Sequence, residues 1–135
     1  MIEELKKFMT YDRGIGSVWY IASPYTHADP EVVAHRVSDT EKCVKAIIEN
    51  YTDVVPFSPI LYSRYLLDVG IEKTKEGWYM FDFAFLRKAD RLIVLKLAGW
   101  DQSIGVGLEI AFARARNMPI SYYSLEELMS DDIPF

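Results

Sequence analysis

The sequence predicts a three-layer α/β sandwich on a parallel sheet of four or five strands, and three observations carry that prediction. Short runs rich in β-branched and aromatic residues recur along the chain: SVWYIA at 17–22, DVVPF at 53–57, RLIVLKL at 91–97 and PISYY at 119–123. Stretches with apolar residues at helical spacing separate these runs, and parallel strands require such crossover connections. Half of the 135 residues are apolar, enough for one domain with a core on both faces of a sheet.

Taken in order, residues 1–16 form an N-terminal extension in which Ile2, Leu5 and Phe8 favour a short amphipathic helix over 1–9, broken by Asp12, Gly14 and Gly16. Ser17–Ala22 is the first strand, closed by Ser23 and Pro24. Asp29 and Pro30 have the chemistry of an N-cap and a first helical residue. Val33, Val37, Val44, Ile47 and Ile48 then give that helix an apolar stripe to about Asn50. The second strand, 53–57, is followed by a short helix around 60–67. Trp78, Phe81, Phe85 and Leu86 place a helix over 77–88, and Asp90 introduces the core strand at 91–97. Past the AGWDQS loop, Ile104, Leu108, Ala111, Phe112 and Ala115 mark a helix over 104–117, with Asn117 just beyond its end. The strand at 119–123 precedes a last short helix, Leu125–Met129.

In an open parallel sheet, ligands bind beyond the carboxyl ends of the strands. Four loops meet there: 23–27, 57–59, 98–103 and the turn after Tyr123. On its own helix Glu109 has Gly105, Phe112 and Ala113 at i−4, i+3 and i+4, so no cation on that helix balances a carboxylate beside the apolar face. It reads either as a partly exposed helix glutamate or as a functional acid. Asp82 is flanked by Trp78, Tyr79, Phe85 and Leu86; its plain alternative is a buried acid satisfied by backbone amides. Two carboxylates at one cleft, in environments that separate their proton affinities, are what acid–base and nucleophilic chemistry at a sugar carbon requires.

In SIGVGLE, Ser103 can cap a helix while Gly105 and Gly107 let backbone amides approach an anion. The segment lacks the lysine of a P-loop and the third glycine of the dinucleotide fingerprint, so neither of those activities is supported. Ser23 and Tyr25 in the first loop, and Trp100 and Asp101 in the third, complete the substrate-binding candidates. Tyr25 and Trp100 offer an aromatic face to a base, and Trp78 is assigned to the core. His27 and His35 read as surface residues, Arg114 and Arg116 as a solvated face.

The formal charge of −5 leaves no basic footprint for nucleic acid. Cys43 is the sole cysteine, which excludes a disulfide or a Cys-based metal site, and no metal or cofactor is invoked. No leader pattern opens the chain and no apolar run spans a bilayer, which points to a soluble, cytoplasmic protein. Aromatic residues make up 14% of the chain, more than a small core uses, and point to a homo-oligomer interface.

The segment SIGVGLEIAFARARNMPI, the upstream D-x-x-x-L-x-x-A-D pattern of Asp82, Leu86, Ala89 and Asp90, and the starting YIASPY together resemble the nucleoside 2-deoxyribosyltransferase superfamily, especially its nucleoside 5′-monophosphate N-glycosidase branch. The resemblance spans roughly Tyr20 to Ile120. It implies that Glu109 is the nucleophile at C1′, Asp82 an acid that positions the sugar and protonates the departing base, and Tyr20 the hydroxyl that orients the nucleophile. It further implies that Ser103 contacts a 5′-phosphate, that Asp101 loosely matches another sugar-contacting acid, and that the protein is a dimer or tetramer. Where the monophosphate branch places an arginine after the first strand, this loop has Thr26 and His27, and the next arginine is Arg36.

The expectation is therefore a flavodoxin-like or Rossmann-like domain that cleaves or exchanges the N-glycosidic bond of a (deoxy)nucleoside or its 5′-monophosphate through a glycosyl-enzyme intermediate. A non-catalytic nucleotide-binding module of the same fold is the alternative, and an enzyme for an ADP-ribose-like molecule a third.

Overall fold

The computed structural model describes Glu3 and residues 16–130; the helix expected over 1–9 falls outside them, Glu3 apart. The elements follow as β1 (Ser17–Ala22), α1 (Pro30–Asn50), β2 (Val54–Phe57), α2 (Pro59–Asp68), α3 (Lys75–Leu86), β3 (Arg91–Leu95), a 3-10 turn (Trp100–Gln102), α4 (Ile104–Ala115), β4 (Ile120–Tyr123) and α5 (Leu125–Met129). The strands form one parallel sheet in the order β2-β1-β3-β4. The expected sandwich thus forms with four strands.

The period-2 alternation of the strands divides the core into two halves. Trp19, Ile21, Ile93 and Leu95 point to one face, where Cys43 and Ile47 of α1 and Leu128 of α5 cover them. Tyr20, Ala22, Leu92 and Val94 point to the other, against Leu86 of α3 and Val106 and Ala113 of α4. The central strands β1 and β3 are buried on both faces, which explains their near-continuous apolar runs. At the opposite end of the sheet from the site, Asp90 fixes their register: its backbone N–H donates to Val18 O at 2.8 Å, and its carboxylate accepts from Val18 N at 2.8 Å.

Side-chain caps set the helix starts. Asp29 accepts from Glu31 N, Ser58 from Leu61 N and Ser103 from Val106 N, each satisfying an amide with no partner inside its helix. Thr74 likewise accepts from Gly77 N, so α3 begins at Lys75 rather than at Gly77. Hydrophobic spacing marks only the buried face and does not register a solvent-exposed first turn. β3 stops at Leu95, short of residue 97, because Leu97 N donates to Leu95 O and turns the chain while its side chain stays in the core. Asn117 adopts φ 55 just past α4, as its position implies.

After β1 the chain moves to β2 on one side, then returns past β1 to β3 on the other. The loops leaving β1 and β3 therefore diverge, and a crevice opens between them. Among the described residues, no helix is long and apolar enough to cross a membrane.

Candidate active site

Beyond the carboxyl ends of β1, β2 and β3 lies a cleft of about 1080 Å³, slightly larger than most small-molecule sites. Glu109 and Asp82 both line it. Glu109 stands in the second turn of α4, on the face that Val106 and Ala113 bury against the sheet, and only 9% of its surface is exposed. Asp82 comes from the middle of α3. Its Oδ1 is buried and has no hydrogen-bond partner. The alternative of an acid satisfied by backbone amides is therefore not realised at that oxygen.

Tyr20 joins the two acids from below. It is fully buried in β1, and its hydroxyl feels both carboxylates. The Oη makes no well-aligned hydrogen bond, yet it stands close enough to Glu109 to act as a loose donor that lowers the carboxyl's proton affinity. Such contacts commonly tighten only when substrate is bound. Among the described residues, the buried side-chain polar atoms left without partners are Tyr20 Oη and Asp82 Oδ1, and both are here.

Burial dominates the electrostatics, because a desolvated carboxyl resists ionisation. Glu109 is pushed up to about 8 by burial, partly offset by the Tyr20 hydroxyl and raised further by the charge of Asp82. Asp82 is pushed up to about 6 by burial. The Tyr20 hydroxyl is held far above the ordinary phenol value, first by burial and then by the fields of Glu109 and Asp82. Near neutral pH the two carboxyls together hold about one proton, mostly on Glu109, while Asp82 is mostly ionised.

Of the other sequence-predicted residues, Ser23, Tyr25, Ser103 and Gly105 line the cleft. Tyr25 is held by Arg64 of α2, which donates to its hydroxyl at 3.1 Å. Three candidates lie elsewhere. Gly107 is exposed and does not line the cleft, because two residues advance a helix by about 200° and place 107 opposite 105 and 109. Asp101 is exposed, and the 3-10 turn brings Gln102 to the cleft in its place. Trp100 packs on Tyr122 at 5.7 Å in the core rather than offering its face to a base. Trp78 and Tyr79 line the cleft instead, one turn before Asp82 on the same helix.

Sequence reasoning left out Arg36. Rising from α1, it donates to Thr26 O at 2.9 Å and to Ala98 O at 3.0 Å, joining the loops after β1 and β3, and it lines the cleft. Its one signal in the sequence was its place about two turns into a helix whose start faces the site. Gly99 makes room for it: φ is 89°, and a Cβ there would meet Arg36 Nη2 at 2.8 Å. Both histidines read as surface residues, His27 and His35, also border the cleft. Among the described residues, no group of three or more His, Cys, Asp or Glu is arranged to hold a metal ion.

Residues 17–125 match a family described as "Domain of unknown function (DUF1937)". A search of curated proteins finds no match.

Proposed function

The chain belongs to the DUF1937 family, whose description assigns no chemistry, and we propose from its own site that it cleaves or exchanges the N-glycosidic bond of a nucleoside or nucleoside 5′-monophosphate. One observation carries the reading: two desolvated carboxyls line one cleft at the switch point of a parallel sheet, a buried tyrosine hydroxyl lies within reach of their charge, and Asp82 Oδ1 and Tyr20 Oη lack hydrogen-bond partners. The resemblance to the nucleoside 2-deoxyribosyltransferase superfamily, carried by the segment from Ser103, agrees with it.

The reaction runs in two steps. The reactive form is the minor placement of the pair's proton, on Asp82 rather than on Glu109: ionised Glu109 attacks the anomeric carbon while the C–N bond breaks, and the base departs with the bonding pair and takes a proton from Asp82. Water or a second base then attacks the same carbon, Glu109 leaves as carboxylate, and Asp82 recovers a proton. Configuration is retained over the two displacements. Tyr20 stabilises the ionised form of Glu109 by donating toward it. Trp78 and Tyr79, beside Asp82, give the departing base an aromatic wall. We place the reaction in the cytoplasm and in a homo-oligomer; exposed Tyr62, Tyr65, Met80 and Phe85 on α2 and α3 support self-association, which light scattering on the eluting protein would check.

The test is chromatography of free base after incubation with a panel of nucleosides, 2′-deoxynucleosides and their 5′-monophosphates. Base release from at least one class, abolished in Glu109→Ala with ligand binding retained, is the expected result. Undiminished release by the variant removes the enzymatic reading. Binding without release by the native protein favours a nucleotide-binding module.

A further inference from the structure

The hydroxyls behind the first-strand loop have one arrangement of protons. Thr40 Oγ1 lies 2.7 Å from the carbonyl oxygen of Arg36 and 3.1 Å from Ser23 Oγ. A carbonyl oxygen only accepts, so the single hydroxyl proton of Thr40 goes to Arg36. Thr40 then meets Ser23 with a lone pair, and the single hydroxyl proton of Ser23 is committed to Thr40. Thr40 is fully buried and Ser23 is 6% exposed, so bulk water does not compete for these protons.

Ser23 nonetheless lines the cleft, and what it presents there is lone pairs. Asp82 lines the same cleft and carries a buried carboxylate oxygen, Oδ1, that accepts from no donor. A ligand that satisfies these positions must bring donors of its own. A phosphate or carbonyl oxygen at Ser23 would set acceptor against acceptor, whereas a hydroxyl completes the network. On the glycosidic reading, the groups of that chemistry nearest the reacting carbon are the secondary hydroxyls at C2′ and C3′ of the pentose.

We propose that Ser23 is a fixed hydrogen-bond acceptor, oriented by Thr40, that recognises a secondary hydroxyl of the substrate's sugar and makes the site selective for ring hydroxylation. The inference rests on the proposed glycosidic substrate but not on turnover. Ser23 touches the ligand; Thr40 acts through Ser23 as a positioning residue.

Calorimetric titration of Glu109→Gln protein, in which turnover is blocked, tests it. The probes are adenosine, 2′-deoxyadenosine and 3′-deoxyadenosine with the matching uridine series, each as nucleoside and 5′-monophosphate. Loss of one secondary hydroxyl is expected to weaken binding at least about tenfold, in line with sites built around a ligand hydroxyl. Adding Thr40→Val, which frees the Ser23 proton, should shrink that gap to under about threefold, as should Ser23→Ala, while Thr40→Ser should preserve it. Three sugars that bind alike, a gap that survives in both Ser23→Ala and Thr40→Val, or no binding in any series overturns the assignment. Base release by the native protein separates this assignment from the glycosidic reading. If base is released although the sugars bind alike, the glycosidase stands and the role of Ser23 fails; discrimination without release removes the glycosidase and leaves the role of Ser23 in place.

Discussion

Replacing Glu109 by glutamine should stabilise the protein above neutral pH, by an amount that grows with pH. Glutamine keeps the shape of the protonated acid and carries no charge. In the unfolded chain Glu109 ionises near its ordinary 4.5, whereas in the fold burial holds it to about 8. Between these values the folded state binds more protons than the unfolded one, so the native protein loses stability as pH rises and levels off above the folded value. At about 1.4 kcal/mol per tenfold change in proton affinity, the interval from 4.5 to about 8 sets a ceiling of ~5 kcal/mol. From pH 6 to pH 8 the part attributable to Glu109 is about 2 kcal/mol. Asp82, raised to about 6, titrates mostly below this window and is present in both proteins. Urea unfolding followed by tryptophan fluorescence at pH 6, 7 and 8 measures the difference directly, since Trp19 is buried. The gap in stability between Glu109→Gln and native protein should widen over that range. If the two stabilities instead run parallel with pH, Glu109 is already ionised and hydrated, and the electrostatic account of the site fails.

The same geometry sets the pH profile of the reaction and the behaviour of three variants. The pH profile of kcat/KM for base release should be bell-shaped with limbs near about 6 and about 8, because only the singly protonated pair has both an ionised nucleophile and a protonated acid. In Asp82→Asn the alkaline limb should vanish and the remaining rate should rise to a plateau, as measured by release against pH; an unchanged bell removes Asp82 from the proton path. Tyr20→Phe should lower release at pH 7 by about tenfold, by raising the proton affinity of Glu109, and shift the alkaline limb upward while the acidic limb, set by Asp82, stays in place. Its melting temperature should hold or rise, since the lost hydroxyl is buried without an aligned partner. Gly99→Ala should cost about 1–3 kcal/mol in urea unfolding, because φ 89° disfavours a side chain whatever the space around it; a neutral substitution would mean that the backbone at 99 does not hold its left-handed conformation.

Most of the architecture was legible because burial imposes period and length. β1 and β3 are apolar throughout, since both faces are covered, and caps such as Asp29, Ser58 and Ser103 announce helix starts with a hydrogen bond of their own. Glu109 was legible for a related reason: it is an acid on an apolar face with no cation within a helical turn. Features that depend on two distant segments meeting were not. Arg36 and the carbonyls of Thr26 and Ala98 stand ten and 62 residues apart, and no local pattern links them. Trp100 misled because a tryptophan in a loop before a cap looks solvent-facing, whereas the 3-10 turn folds it back onto Tyr122. Gly107 is set away from Glu109 by helical geometry alone, two residues before it on α4.

The distribution of incomplete hydrogen bonding bears on whether these acids are structural. A buried pair retained for stability would be expected to have every lone pair satisfied, since a half-satisfied polar network is worse than an apolar one. Here burial works against ionisation of both acids, and the buried polar atoms left without partners among the described residues fall at their meeting point. The surrounding core is ordinary: Leu92, Val94, Val106 and Ala113 fill the same face without polar interruption. An apolar residue at 82 or 109 would remove the cost and preserve that packing. The strain is thus local, avoidable by simple substitution, and open to a cleft of ligand size. That combination supports assigning its compensation to a bound ligand, whose hydroxyls and developing charge would supply what the protein withholds.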